Sequence, residues 1–475
     1  MSDCCESQSI SSYDLAVIGA GSAGFSAAIT AAEEGAQVAL IDHGTIGGTC
    51  VNVGCVPSKT LIRAAETLHG ANAANRFDGI TASARVTDWR AVVSQKQALV
   101  EDLRQAKYAD LLPAYNSIAY LEGEAMFSDD GTLMVSGTVI GADKIIIATG
   151  ARPALPSIEG IREVPYLTST TALELESLPE TLLVIGAGYI GAEIAQIFAR
   201  AGVKVTIVSR RGLLPEAEPE ISEALTRFFE DEGIEVVSGI AYDRIDASAG
   251  AVTLTVRDHG AERRISAEKV LVATGRAPNT ERLNLPAAGI ELSGNKGVRV
   301  DAQMRSTRDG VYAAGDVTGR DQFVYMAAHG AKIAARNALN GNSLSYDNAA
   351  MPAVVFTDPQ LASVGLTEAK ARAQGIDARS SVLTLDNVPR ALAARDTRGL
   401  IKLVADARTK KLLGAHILAP EGADSIQTAA MAIKAGMTYE DLGATIFPYL
   451  TTVEGLKLAA QTFDMDVKKL SCCAG

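Results

Sequence analysis

Apolar residues in this chain come in short unbroken runs that stop at glycine. Tyr13-Asp14-Leu15-Ala16-Val17-Ile18 reads as a strand and runs straight into Gly19-Ala20-Gly21-Ser22-Ala23-Gly24. Beyond it, Phe25 to Glu34 has an alanine-rich helical composition, Gly35 stops it, and Gln37 to Ile41 predicts a second strand ending at Asp42. This is a complete βαβ unit. The glycines permit a tight turn, and the helix N-terminus can hold a pyrophosphate. Asp42, 18 residues after Gly24, is placed to accept hydrogen bonds from an adenosine ribose. The alternative is a glycine-rich turn that binds nothing.

The pattern then recurs. Thr181 to Ile185 predicts a strand, Gly186-Ala187-Gly188-Tyr189-Ile190-Gly191 the turn, Glu193 to Arg200 a helix, and Lys204 to Val208 the next strand, ending at Ser209. Two dinucleotides are therefore expected. Ser209 follows Gly191 at the offset by which Asp42 follows Gly24, but Ser209-Arg210-Arg211 replaces the acid. Guanidinium groups bind a 2′-phosphate bidentately and a carboxylate repels it, so the second site favours NADP over NAD. Solvated surface arginines with NAD specificity are the alternative. Two further apolar runs end in the same turn, Ile145-Ile146-Ile147-Ala148-Thr149-Gly150 and Val270-Leu271-Val272-Ala273-Thr274-Gly275, and both read as domain junctions. Gly310 to Asp316 predicts a buried strand whose terminal acid can bind a polyol chain, the alternative being a structural turn aspartate.

A length of 475 residues suggests about three domains. With 47% hydrophobic residues, 43 glycines and one tryptophan, Trp89, the composition is that of a soluble α/β protein. A net charge of −12 disfavours sequence-independent nucleic-acid binding, which needs a basic surface. No apolar run reaches membrane-spanning length, and Met1 to Ser12 lacks the basic and apolar regions of a signal peptide. A cytoplasmic enzyme acting on small molecules is expected.

The six cysteines fall into three pairs, Cys4/Cys5, Cys50/Cys55 and Cys472/Cys473, which is reactive-thiol usage rather than a disulfide framework. The middle pair lies in Gly47-Gly48-Thr49-Cys50-Val51-Asn52-Val53-Gly54-Cys55-Val56-Pro57-Ser58-Lys59. Pro57 suits a first helical turn, so Cys55 is expected near a helix N-terminus, where exposed N–H groups and the dipole favour a thiolate. Lys59 adds a cation. The spacing meets disulfide geometry only if the intervening backbone bends, and Gly54 permits that. Two structural cysteines, or half of a metal site, are the alternatives.

Over residues 13 to 475 this ordered set of motifs resembles the flavin-dependent pyridine nucleotide–disulfide oxidoreductases. The resemblance implies FAD on the first unit, held by Gly19, Gly21, Gly24, Asp42, Gly48, Thr49, Thr149, Gly150 and Asp316, with the flavin ring against a redox pair formed by Cys50 and Cys55. It implies NADPH on Gly186, Gly188, Gly191, Arg210, Arg211 and Gly275. Lys59 and Glu193 match the family's ion pair beside the flavin, and Tyr189 matches the aromatic that gates the nicotinamide pocket. The implied fold is α/β, with two Rossmann-like dinucleotide-binding domains and a C-terminal α+β interface domain forming a homodimer. The expected boundaries are a tail at 1–12, an FAD-binding domain at 13–151 and 278–345, an NADPH-binding domain at 152–277 and an interface domain at 346–475.

The C-terminal region narrows the reading. The family's disulfide reductases use a His-Pro motif followed by Ser-Glu as acid/base, but here the stretch is Phe447-Pro448-Tyr449-Leu450-Thr451-Thr452-Val453-Glu454, with Tyr449 at the histidine's place and Glu454 retained. A phenol with a pKa near 10 is a poor base at neutral pH. A metal ion needs no such shuttle. The chain ends Leu470-Ser471-Cys472-Cys473-Ala474-Gly475, and adjacent thiolates suit linear two-coordinate ligation of a soft ion such as Hg(II), the alternative being an inert tail. The resemblance is therefore to the Hg(II)-reducing branch of the family. It implies that Cys472 and Cys473 of one subunit deliver Hg(II) from thiolate complexes to Cys50 and Cys55 of the other, with Tyr449 a hydroxyl partner to the metal. Cys4-Cys5 is either a minimal metal-capturing pair or without function. The rival readings are a dithiol or disulfide reductase and a non-enzymatic thiol metal buffer on a flavin scaffold.

Overall fold

Parallel pairing explains why the apolar runs do not alternate with polar residues. Ser12–Ile18 is the middle strand of a five-stranded sheet, in the order Val311–Ala313, Gly141–Ile147, Ser12–Ile18, Val38–Asp42, Ile118–Glu122. All four pairings are parallel. Both faces are covered. Leu15 and Val17 pack into one core with the alanines of the helices α1 (Ser22–Glu33) and Val324–Asn340, while Ala16 and Ile18 pack into another with Phe127, Leu133 and Val135. Small residues on α1, among them Ala27, Ala28 and Ala31, let the two helices approach closely.

The computed structural model describes residues 12–248 and 250–469. They form two compact units. This sheet belongs to the first, built from the chain up to Pro57, Ser94–Ala154 and Arg276–Asp347. The second holds Ser58–Val93, Leu155–Gly275 and the chain from Asn348. The chain leaves the first unit just beyond one Ala-Thr-Gly turn and returns just beyond the other. There Ala151–Pro153 and Arg276–Pro278 pair as an antiparallel ribbon.

The second unit repeats the parallel design in the order Glu235–Ser238, Lys204–Ser209, Thr181–Ile185, Lys269–Val272, Tyr166–Leu167. An antiparallel meander, Ala241–Ser248, Ala251–Asp258 and Ala261–Ala267, covers one face through Ile245, Leu254 and Val256. The same unit contains a five-stranded antiparallel sheet, Pro352–Val355, Gln360–Gly365, Leu412–Ala419, Leu400–Asp406 and Ala378–Thr384, packed against the helices Gly422–Lys434 and Glu454–Gln461.

Several expected element limits shift for one reason. α1 begins at Ser22 rather than Phe25, and the second nucleotide helix begins at Tyr189 rather than Glu193. The last residues of each glycine turn are already the first helical turn, with Gly21 and Gly188 as extended N-caps. The cysteine stretch forms two helices, α2 (Gly48–Val53) and α3 (Cys55–Asn72), joined at Gly54. A later helix is α4 (Trp89–Lys107). Among the described residues no helix is long and apolar enough to cross a membrane.

One buried charge cluster braces the second unit. Lys402, 3% exposed at its side chain, lies 3.0 Å from Glu218, 2.9 Å from Glu220 and 3.1 Å from Glu368. Glu218 also accepts the Glu368 N–H at 2.7 Å, and His416, whose imidazole burial pushes below its usual pKa, donates to the Leu366 carbonyl at 3.1 Å. Removing one partner of such a cluster leaves a buried charge uncompensated. Lys402→Met is expected to cost about 3–5 kcal/mol in urea unfolding, whereas Lys434→Met on the neighbouring surface should cost under about 0.5 kcal/mol.

Candidate active site

In the first unit the glycine turn is set by close backbone approach. Gly19 sits at φ +111°, where a Cβ would collide with the Ala148 carbonyl, and a Cβ on Gly24 would collide with the Gly19 carbonyl. A Cβ on Gly21 would meet nothing nearer than Gly48 Cα at 3.7 Å. Gly21 caps α1 with no side-chain hydrogen bond, so the first helical N–H groups remain for an anionic ligand. Asp42 accepts the Ala20 N–H at 2.7 Å, fixing the turn, and those of His43 at 2.8 Å and Gly44 at 2.9 Å. A carboxylate has roughly four acceptor positions, so capacity remains for one ribose hydroxyl. Asp316 lies beyond the strand Val311–Ala313. Burial raises its pKa against the pull of Arg276, whose Nε is 3.4 Å away.

The head of the first cysteine helix lies directly on this turn. A Cβ on Gly48, at φ +64°, would come within 2.7 Å of Gly21 Cα, and the Gly47 N–H donates to the Ala20 carbonyl at 2.9 Å. Cys50 is in the middle of α2 and Cys55 opens α3, both half-buried. Gly54 joins them at φ −127°, ψ −107°, outside the helical and extended regions. A Cβ there would come within 2.9 Å of the Thr49 carbonyl, so only glycine lets the two helices turn this tightly. Thr149 donates its hydroxyl to the Asn279 carbonyl at 2.7 Å, and the Asn279 N–H is held by the Gly150 carbonyl at 3.0 Å. The residues present fit a bound dinucleotide: a glycine cradle, an uncapped helix start and a flanking acid.

The second unit builds the same cradle. A Cβ on Gly186, at φ +115°, would collide with the Ala273 carbonyl, one on Gly191 with the Gly186 carbonyl, and one on Gly188 would meet nothing within 4 Å. Gly188 caps its helix without a side-chain hydrogen bond. Gly275, at φ +115°, also borders open space. The buried Ser209 accepts the Arg211 N–H at 3.2 Å, and Arg211 reaches Glu216 at 2.9 Å with both side chains well exposed. Such a pair is worth about 0–1 kcal/mol, so Arg211 can exchange it for a phosphate at little cost. Tyr189 opens the helix Tyr189–Arg200, and burial raises its pKa, with Glu216 adding to the shift.

That helix carries a polar edge that sequence reasoning missed beyond its first member. Glu193 accepts from Lys59 at 2.7 Å and from the Phe356 N–H at 2.9 Å, and the Lys59 ammonium stands 4.8 Å over the Phe356 ring. Gln196 accepts the Asp358 N–H at 2.8 Å and donates to the Asp358 carbonyl at 2.9 Å. Arg200 reaches Asp358 at 3.0 Å and Glu232 at 2.6 Å. The signal is present: polar residues at i, i+3 and i+7 form one stripe on a helix whose other residues are alanine, isoleucine, phenylalanine, glycine and tyrosine.

Tyr449 lies on a loop of the second unit and is 54% exposed, beside the fully solvated Ile446. Glu454 is buried and accepts the Leu450 N–H at 3.1 Å, closing the start of its own helix. Cys4, Cys5, Cys472 and Cys473 lie outside the described residues. Among the described residues no three His, Cys, Asp or Glu side chains converge as a multidentate metal site.

Comparison with known proteins agrees with this geometry. A family model described as pyridine nucleotide-disulphide oxidoreductase matches residues 13–335, and its dimerisation-domain model matches residues 351–460. The chain is 48% identical over 464 residues to the mercuric reductase of Lysinibacillus sphaericus, covering 98% of this chain and 85% of that one. It is 46% identical over 473 residues to that of Streptomyces lividans, covering 98% and 100%. Among solved structures it is similar to the Cu(II) complex of the HOCl-induced flavoprotein disulfide reductase RclA from Escherichia coli, with a TM-score of 0.85 at 32% identity, covering 95% of this chain and 99% of that one. With two glycine cradles of one design, a cysteine stretch whose head packs on the first and family models matched across both regions, the chain belongs to the pyridine nucleotide-disulphide oxidoreductase family.

Proposed function

We propose that this chain is an NADPH-dependent mercury(II) reductase, in which NADPH and Hg(II) give NADP⁺, a proton and Hg(0). The observation that carries the reading is the packing of Gly48, at the head of the Cys50/Cys55 stretch, on the first nucleotide turn, in a chain that aligns almost end to end with proteins named mercuric reductase. FAD bound in the first unit supplies a two-electron relay between nicotinamide and thiols. Cys55, at the start of α3, is held as thiolate toward the flavin by the helix dipole, and Cys50 is the outer thiol. Together they ligate Hg(II) linearly through two sulfurs, the coordination a soft ion prefers. Tyr189 would cover the nicotinamide of bound NADPH, and Lys59 with Glu193 anchors the segment that follows Cys55.

Residues 13–151 with 278–345 form the FAD-binding domain, 152–277 the NADPH-binding domain and 346–475 the interface domain of a cytoplasmic homodimer. The dimerisation-domain match supports the last assignment. The exposed apolar side chains of Leu392, Met431, Ile446 and Leu450 give that domain a surface to bury. In this dimer the Cys472/Cys473 tail, Tyr449 and Glu454 of one subunit serve the Cys50/Cys55 pair of the other.

The decisive measurement is Hg(II)-dependent NADPH oxidation with volatile mercury trapped. One Hg(0) per NADPH is expected, and turnover of oxidised glutathione or dihydrolipoamide without mercury would overturn the reading.

Arg210 and Arg211 should select NADPH through its 2′-phosphate. Replacing both with alanine is expected to raise KM for NADPH by more than about tenfold and to leave that for NADH nearly unchanged. Equal changes would show that the arginines do not read the phosphate.

The tail should matter only when mercury arrives bulkily ligated. A Cys472→Ala, Cys473→Ala variant is expected to keep a large part of wild-type turnover with HgBr2 and to fail with Hg(II) held by two glutathiones, which must exchange ligands before entering. Equal turnover of both forms would leave the tail without a delivery role.

A further inference from the structure

The redox loop is held from outside by a contact that neither the motif nor the proposed mechanism uses. Asn52 lies between the two cysteines on α2. Its amide nitrogen donates to the Ile46 carbonyl at 2.9 Å and the Gly48 carbonyl at 2.8 Å, with a longer approach of 3.5 Å to that of Thr45. Its amide oxygen accepts from Arg104 of α4 at 3.2 Å. Asn52 thereby uses both ends of its side chain, joining the turn before α2 to a separate helix.

That turn is the part that touches the nucleotide cradle. Gly47 and Gly48 both have positive φ, the Gly47 N–H binds the Ala20 carbonyl, and Gly48 packs on Gly21. Tyr108 follows one turn after Arg104, its N–H donating to the Arg104 carbonyl at 3.1 Å. Its ring stands edge-on to Phe25 at 4.9 Å and so close to Gly47 that a Cβ there would lie 3.1 Å from it. The end of α4 thus frames the cysteine loop by a polar contact at Asn52 and an aromatic one at Gly47.

We infer that Arg104 and Asn52 are positioning residues that fix the register of Cys50 and Cys55 against the nucleotide-binding turn. The argument rests on the reading of this unit as the flavin and dithiol site. Two glycines in left-handed conformations give the loop many alternatives, and Asn52 narrows them by donating to the Ile46 and Gly48 carbonyls, beside the bond from the Gly48 N–H to the Thr45 carbonyl at 3.2 Å. Arg104 holds the Asn52 amide in the orientation that points its nitrogen at those carbonyls, since a guanidinium only donates. Losing either contact leaves the cradle glycines intact and frees the cysteines to shift, and a misplacement of about 1 Å can cost about a hundredfold in a transfer step.

The test compares Arg104→Ala, Arg104→Lys and Asn52→Asp in the flavin-loaded protein. It reads flavin content, the long-wavelength thiolate–flavin absorption after dithionite reduction, and the pH profile of thiol alkylation by iodoacetamide. Arg104→Ala is expected to retain flavin, to lose most of that absorption and to shift the alkylation profile. Arg104→Lys, whose ammonium still donates, should restore both signals. Asn52→Asp keeps an acceptor for Arg104 but loses the donors to Ile46 and Gly48, and should behave like Arg104→Ala. Unchanged absorption and alkylation in Arg104→Ala would overturn the proposal. So would signal loss in strict proportion to flavin loss, or no rescue by lysine. These readouts contain no mercury, so a wild-type protein with the absorption but no Hg(II) turnover would defeat the proposed reaction and leave the clamp standing.

Discussion

A buried carboxylate has to be paired, and much of the second unit is arranged to satisfy one. The Glu193 side chain is 7% exposed, with Lys59 on one oxygen and the Phe356 N–H on the other. Left alone it would carry a desolvation penalty of several kcal/mol. Paired, it ties three sequence-distant segments together: the helix that begins at Cys55, the nucleotide helix that begins at Tyr189, and the chain leaving the strand Pro352–Val355. Gln196 and Arg200 extend the same edge to Asp358, so the helix cannot slide along its partner without breaking several buried hydrogen bonds at once.

Both nucleotide cradles answer to one steric rule. The first glycine of each turn lies against the carbonyl of an Ala-Thr-Gly segment, Ala148 for Gly19 and Ala273 for Gly186, and the third lies against the carbonyl of the first. These four contacts leave no space for a Cβ. The middle glycine differs, since a side chain there would meet little or no protein and would instead occupy the ligand's space. Glycine therefore serves two distinct ends in one motif, backbone packing at its outer positions and ligand access at its centre.

The redox stretch shows how a helix can be broken for chemical use. A continuous helix from Gly48 onward would set Cys50 and Cys55 five residues apart around its axis. Gly54 interrupts it, so Cys55 starts a new helix with a fresh positive end. The Lys59 cation, close to Cys55 in sequence, is engaged by Glu193 at 2.7 Å.

By itself the sequence determined the two βαβ units, the cysteine pair at a helix start and the family resemblance, because each is encoded in residues close along the chain. Gly19 and Gly24, or Cys50 and Gly54, interact within a few residues, and their spacing is the geometry. The helices start earlier than their composition indicates, at Ser22 and Tyr189, because the glycine turn and the first helical turn share residues, which composition cannot separate. Only the tertiary structure decided that Ala148 and Ala273 close the cradles, that Gln196 and Arg200 lock a loop more than 150 residues away, and that Arg104 holds Asn52. Each of these joins residues that are neighbours only because the sheets and helices between them bury apolar surface, and a one-dimensional pattern carries no record of which distant polar groups that burial brings within hydrogen-bonding distance.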